Sequence, residues 1–266
     1  MDLKLNGKIA LITGGSKGIG KQTARVLGEE GVDVAILGRD LAAAEAAASK
    51  IARMTNRKIK AYKADTSDDA QVKAAVAGVL ADFGRIDILV NCAATAAGQT
   101  RPPNLLEIKN DDFWAEMNVK VMGYLRTCRE VVPQMKAKGW GRIINVSGLA
   151  ARNTGSIIGS MRNVSVAALT KNIADELAGT GVNAVCVHPG LTVTEKTPGL
   201  LERQAKANNI TVAEMEKRMD SRNTNRKVVT MQEVADLIAF LASPKSVAVN
   251  GDVIAAGGGA PGTIHY

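Results

Sequence analysis

The sequence predicts a single-domain α/β fold: a doubly wound, mostly seven-stranded parallel sheet flanked by helices. Three observations predict it. Short β-branched apolar runs alternate with longer helical stretches, the 266 residues are 46% hydrophobic, and no linker or low-complexity segment divides them. Strands covered by helices on both sheet faces read as unbroken apolar runs, which separates a parallel sheet from a half-exposed antiparallel one.

The runs come in order at 9–12 (Ile-Ala-Leu-Ile), 32–37, 59–62, 86–90, 142–146, 182–187 and 252–255. Helices are expected between them at 22–30, 41–54, 69–83, 111–138, 160–178 and 231–241. Asp40 is read as the N-cap of the helix from Leu41, because a short carboxylate there accepts an otherwise orphaned backbone N–H. Residues 196–229 break the alternation: they are polar and Asn-rich, with one short helix expected at 212–219 behind a Thr211 cap. Ligands of open α/β sheets sit beyond the carboxyl ends of the strands. This excursion follows such an end, so it is read as a substrate lid rather than a disordered loop. The whole chain, 1–266, is read as one domain.

Composition narrows the function. The formal charge is +8, but the basic residues are spread along the chain without interleaved aromatics, which argues against nucleic acid. A local excess (Lys206, Lys217, Arg218, Arg222, Arg226) is read as a solvated helical face. Cys92, Cys128 and Cys186 lack metal-ligand spacing, so no metal site is expected and the thiols are read as reduced. The first residues lack the apolar region of a signal peptide, and no run is long enough to span a membrane. A cytoplasmic protein with a small-molecule substrate is the resulting expectation.

The loop Thr13-Gly14-Gly15-Ser16-Lys17-Gly18-Ile19-Gly20 follows the first strand and opens the first helix. Its glycines allow a sharp turn, close backbone approach to a pyrophosphate and tight helix–sheet packing, with helix N-terminal amides facing the phosphates. This is the cofactor loop of a Rossmann-type fold, and Gly14, Ser16, Lys17, Gly18, Ile19 and Gly20 are expected to bind a dinucleotide. A carboxylate ending the second strand would favour NAD(H). Here Gly38-Arg39 stands in its place. A guanidinium can make paired hydrogen bonds to a 2′-phosphate, and Lys17 adds charge, so NADP(H) is expected over NAD(H).

With these residues in view, the chain resembles the short-chain dehydrogenase/reductase family over nearly its whole length. The glycine loop matches, as does Asp65 in Lys63-Ala64-Asp65, followed by Thr66, where the family contacts the adenine. Asn91-Cys92-Ala93-Ala94 stands where the family has Asn-Asn-Ala-Gly, and Asn118 in Met117-Asn118-Val119 matches its active-site Asn. Pro189-Gly190, with Thr192 and Thr194, matches the turn beside the nicotinamide. The resemblance thus implies cofactor contacts at Asp65, Thr66, Asn91, Ala93, Pro189, Gly190, Thr192 and Thr194. It also implies a homodimer or homotetramer, and the apolar runs 119–125 and 164–169 are candidates for burial between subunits.

The family's proton donor is a Tyr whose acidity is raised by a Lys four residues on, with a Ser orienting the substrate carbonyl. A free phenol, with a pKa of about 10, needs that help. Counting back from Ala167-Ala168-Leu169-Thr170-Lys171 puts Gly159 at the Tyr position and Asn163 at the Lys position, while Gly148 takes the Ser position one residue after Ser147. Tyr62, Tyr124 and Tyr266 are not obvious substitutes. Asn163 is expected to keep a hydrogen bond to the cofactor ribose, and the candidate catalytic residues are Asn118, Ser147, Asn163 and His188. Cys92 is read as a small hydrophobe, and Arg162 as a solvent-facing helix arginine ahead of an acidic-substrate contact. Two functions follow: an NADP(H)-dependent oxidoreductase with an atypical site, acting on a small carbonyl, enone or quinone-like substrate, or a degenerate NADP(H)-binding sensor, scaffold or non-redox enzyme.

Overall fold

The computed structural model of the protein describes residues 1–95 and 101–261; Tyr266 lies outside them. The first half runs β1 (Ile9–Thr13), α1 (Gly18–Glu29), β2 (Asp33–Gly38), α2 (Leu41–Thr55), β3 (Ile59–Lys63), α3 (Asp69–Phe83) and β4 (Ile88–Asn91). It continues through α4 (Asn110–Met117), a π-helical turn (Asn118–Met122), α5 (Gly123–Lys138), β5 (Gly141–Val146), α6 (Ile157–Glu176) and β6 (Val182–Pro189). The last part holds β7 (Thr192–Val193), α7 (Thr197–Ala207), α8 (Val212–Asp220), β8 (Val229–Thr230), α9 (Met231–Leu241) and β9 (Val253–Ala256).

Seven strands form one sheet in the order β3-β2-β1-β4-β5-β6-β9, every neighbouring pair parallel. Alternate side chains point to opposite faces of a strand, and the two faces build two cores. Ala10, Ile12, Val34, Ile36, Ile88 and Val90 pack against α1, α2 and α9 through Leu27, Ile51 and Ile238. Leu11, Ala35, Leu37, Leu89 and Ile143 pack against α3, α5 and α6 through Val76, Val131 and Ala174. Strand order reverses between β1 and β4, so the carboxyl ends of these strands open the crevice in which such sheets bind ligands.

The helix expected at 111–138 carries a π-helical turn at Asn118–Met122 instead of running regularly. Its loosened carbonyls find other donors: Val119 O accepts from Thr66 Oγ1 at 3.0 Å and Asn118 O from Arg126 at 3.3 Å. The excursion after β6 holds the expected helix (Val212–Asp220), closed by a Thr211–Glu214 capping box, and a helix not foreseen, α7. These two helices share a small core of Leu201, Ala205, Met215, Met219 and Val228. The two-residue ladder β7–β8 joins the ends of the excursion. Lys206, Lys217, Arg218, Arg222 and Arg226 are all exposed. Among the described residues, no helix is long and apolar enough to cross a membrane and no cluster could hold a metal ion.

Candidate active site

At the end of β1 the chain turns into α1 through a cradle that leaves no room for a side chain at Gly14 or Gly20. A Cβ on Gly14 would lie 2.9 Å from Ala93 Cα, and one on Gly20 would lie 2.5 Å from the Gly14 carbonyl oxygen. Gly18 has φ +57°, a left-handed conformation that favours glycine. Thr13 Oγ1 accepts from the backbone N–H groups of Cys92 and Ala93 at 3.0 and 3.1 Å, tying the loop to the end of β4. Lys17 is exposed at the N-cap of α1, Ser16 is half-buried beside Gly38, and Ile19 packs its side chain into the core.

Arg39, at the end of β2, leaves 69% of its side chain exposed and lies 3.9 Å from Asp65, its ion-pair partner. Asp65 Oδ1 is held by the N–H and hydroxyl of Ser67 at 2.9 and 2.7 Å. Asp40 caps α2 as expected, accepting from Ala43 N at 3.0 Å. Arg39, beside Asp65, and Lys17 thus stand exposed at the rim of the crevice.

Beneath the crevice the polar groups bind one another. Asn91 is fully buried, accepting from Thr127 Oγ1 at 2.7 Å and donating to Asn145 Oδ1 at 2.9 Å. Asn145 in turn donates to Thr170 Oγ1 at 3.0 Å, so this network joins β4, β5, α5 and α6. The Asn91 side chain is therefore used within the sheet and leaves only its backbone for a ligand. Ala93 faces Gly14 at the rim.

Of the four candidate catalytic residues, three converge around Gly148 and one does not. Ser147 Oγ donates to the Asn163 carbonyl at 2.9 Å, and His188 Nδ1 accepts from Gly148 N at 3.3 Å. Asn118 turns away, its Nδ2 donating to Ser67 O at 3.4 Å. Accepting at Nδ1 puts the proton of a neutral His188 ring on Nε2. Burial, aided by Arg152 and Lys120, lowers the His188 pKa to about 4. Pro189 and Gly190 follow at the crevice, where a Cβ on Gly190 would lie 2.8 Å from Gly257 Cα. Thr192 Oγ1 donates to Gly190 O at 3.0 Å, and Thr194 Oγ1 accepts from Lys196 N at 3.3 Å.

Two charged residues depart from expectation. Arg162 does not face solvent: it is 6% exposed and paired with Glu116 from α4, which also leaves it unavailable to an acidic substrate. Lys120, passed over in the sequence, is 3% exposed and donates to Ser147 O at 2.9 Å and Asn163 Oδ1 at 3.0 Å. A lysine in an amphipathic stretch ordinarily reads as solvated; this one lies within the π-helical turn and is buried there. Cys92 is half-buried against the core, and burial pushes its thiol up to about 11, as a small hydrophobe would behave. Tyr124 is buried with its hydroxyl donating to Val146 O at 2.8 Å, and the Tyr62 hydroxyl donates to Asp82. Both phenols are thus engaged outside the crevice.

A parallel seven-stranded sheet with a glycine cradle at its reversal point defines the class of doubly wound α/β proteins built to bind dinucleotides. The chain belongs to the short-chain dehydrogenase/reductase family of oxidoreductases: the family profile described as short chain dehydrogenase matches residues 8–205. It is 33% identical over 262 residues to the 3-oxoacyl-(acyl-carrier-protein) reductase FabG of Thermotoga maritima, covering 97% of this chain and 99% of that one. It is 31% identical over 254 residues to the short-chain reductase protein NovJ of Streptomyces niveus, covering 95% and 94%. Among solved structures it is similar to the L-sorbose reductase of Gluconobacter frateurii complexed with NADPH and L-sorbose, at TM-score 0.92 and 25% identity, over 99% and 100% of the two chains.

Proposed function

We propose that this protein is an NADP(H)-dependent oxidoreductase acting on a small carbonyl, enone or quinone-like substrate through an atypical catalytic site. The observation that carries the cofactor assignment is the glycine cradle flanked by exposed Arg39 and Lys17. Gly14, Ser16, Lys17, Gly18, Ile19 and Gly20 would hold the pyrophosphate, Arg39 and Lys17 the 2′-phosphate, and Asp65 and Thr66 the adenine side. Ala93 and the backbone of Asn91, with Pro189, Gly190, Thr192 and Thr194, would border the nicotinamide. The similar sorbose reductase is a complex with NADPH, which supports the same preference. Bound there, the dinucleotide supplies or accepts a hydride.

What this chain's residues do with the proton sets the substrate class. We read Gly159 and Asn163 as standing where the family's Tyr and Lys stand, and both lie within α6, one turn apart. With Tyr62 and Tyr124 engaged elsewhere, no phenol among the described residues is placed to protonate a substrate oxygen. Loss of a positioned acid costs about 10²–10⁴-fold in rate. A substrate whose reduced anion is delocalised needs that acid least, which favours conjugated acceptors over simple ketones. The excursion between β6 and α9 is read as the lid over this substrate. Of the runs 119–125 and 164–169, Met122 and Val164 are exposed and support pairing with a second copy in a homodimer or homotetramer, whereas Lys120, Tyr124 and Val166 are buried within the chain itself. Light scattering at micromolar concentration would show the assembly. Three free thiols fit the cytoplasm.

Stopped-flow oxidation of bound NADPH across ketones, enones and quinones tests the reading. Turnover is expected with conjugated acceptors and negligible with unactivated ketones; brisk ketone reduction would refute the atypical site. The alternative, a catalytically degenerate NADP(H)-binding sensor or scaffold or a non-redox enzyme, is favoured by the hydrogen bonds that tie Ser147, Asn163 and Lys120 together: Ser147 Oγ donates to Asn163 O, and Lys120 to Ser147 O and Asn163 Oδ1. Tight NADPH binding with no oxidation by any acceptor would select it.

A further inference from the structure

The buried ammonium of Lys120 has no carboxylate partner among the described residues; Glu116 of α4, an acidic group that acts on it, is taken by Arg162 of α6. A charge placed this way is costly unless polar groups hold it. Two do, Ser147 O on β5 and Asn163 Oδ1 on α6. Lysine is only a donor, so it fixes which end of the Asn163 amide faces it. Nδ2 is thereby turned toward Gly148, where a Cβ would lie 3.0 Å away, and it donates to no protein group among the described residues.

We infer that Lys120 and Asn163 act as a coupled donor. The buried ammonium orients and polarises the Asn163 amide, so that its Nδ2–H is presented beside Gly148 to an oxygen acceptor of the molecule bound in the crevice. Lys120 is then a positioning residue. Gly148 matters because any side chain there would press on that amide. The inference rests on the reading of the crevice as a dinucleotide and carbonyl site. Other groups facing Lys120 are Arg162 on α6, the thiols of Cys92 and Cys186, and His188 on β6. Burial first, then Arg162, brings its pKa down to about 7, while Glu116 acts the other way. The ammonium is therefore lost as pH rises through neutrality, and the donor weakens with it.

The test uses the full chain and three readouts. In ligand-free protein with ¹³C-labelled lysine, the Lys120 Cε resonance, identified by its absence in Lys120→Met, should titrate near neutrality. NADPH affinity by fluorescence, and kcat/KM with the best acceptor, are then followed between about pH 6 and 8.5, across the midpoint. Wild type should lose roughly fivefold in one of the two, the size of part of a charge-assisted hydrogen bond. A fall in NADPH affinity puts the acceptor oxygen on the cofactor, and a fall in kcat/KM alone puts it on the substrate. Lys120→Met and Asn163→Leu should be weak and flat in that readout. Lys120→Arg should keep the function but not the pH dependence, because a guanidinium does not titrate there. Asn163→Asp, which preserves shape if the other variants fail to fold, should raise the Lys120 midpoint and weaken binding at every pH, having no donor to offer. A wild type flat in both readouts, or a Lys120→Met protein that keeps the wild-type pH dependence, would overturn the inference. Responsive NADPH affinity without turnover of any carbonyl leaves it standing and removes the oxidoreductase reading; turnover with an unresponsive pair does the reverse.

Discussion

The β1–α1–β2 half and the β5–α6 half of the crevice treat their polar groups in opposite ways. On the first side Lys17 and Arg39 reach solvent and the backbone is bare, so hydrogen-bonding capacity is left over for a ligand. On the second side Ser147, Asn163, Lys120 and His188 spend much of theirs on each other and on Gly148. A site that holds a charged molecule can afford open donors in water, whereas buried donors and acceptors must be paired to avoid a penalty of about 1–3 kcal/mol each. The contrast separates a surface made to bind from an interior that has been rewired.

The contrast is most severely tested at Gly20, whose Cβ would press within 2.5 Å of the Gly14 carbonyl. Gly20→Val should weaken NADPH binding by about 100-fold, the upper range for overpacking, in a fluorescence titration. Undiminished affinity would mean the cradle is not where the dinucleotide sits. Next comes Arg39→Asp, which should cost NADPH about 10–100-fold and leave NADH unharmed, since only the charge-assisted contacts to the 2′-phosphate disappear. Equal calorimetric affinities for both cofactors, unchanged in the variant, would remove the assignment.

The rewired side can be sharpened by reversing it. Gly159→Tyr with Asn163→Lys and Gly148→Ser should restore ketone turnover to about tenfold over wild type only when Lys120→Met is added. Without that change two ammonium groups would share one buried space. Gly159 has no positive φ, and an added Cβ would lie 2.7 Å from the Ser156 hydroxyl, so a larger residue there requires that hydroxyl to turn and give up its cap on α6, the bond it accepts from Gly159 N at 3.1 Å. The smallest effect concerns His188, whose folded pKa of about 4 lies below the ordinary 6.5. The unfolded chain takes up the proton that the folded ring refuses, so stability falls as pH drops from 6.5 toward 4. Urea midpoints of wild type and His188→Gln should show that this decline is shallower in the variant; parallel declines would deny the ring's burial any role.

Most of the architecture was legible because parallel strands announce themselves as apolar runs: β1, β2 and β3 lie within one residue of their expected ends. The capped helices α2 and α8 were equally plain, since Asp40 and Thr211 make the bonds their residue types suggest. Helix α7 was not, for its N-cap is Lys196, which makes no side-chain capping bond. Arg162 was misplaced, and Lys120 passed over, for a different reason. Long cationic side chains ordinarily point to water, and what holds them inward here is tertiary: Ser147 O and Asn163 Oδ1 for the lysine and Glu116 for the arginine. The cofactor side of the candidate site was readable because its requirements are local to one loop, while the catalytic side depends on residues 43 positions apart meeting in space.

The helices α7 and α8 keep their own oily interior, and a strand pair only two residues long joins the ends of their segment. The appendage is also pinned to the segment after β9, where Thr224 N and Asn225 N donate to Gly259 O and Gly258 O at 3.1 Å each, so displacing it would break those bonds while leaving its own interior covered. Amide exchange in α7 and α8 would then proceed at rates of its own, set by that small interior rather than by the unfolding of the main sheet.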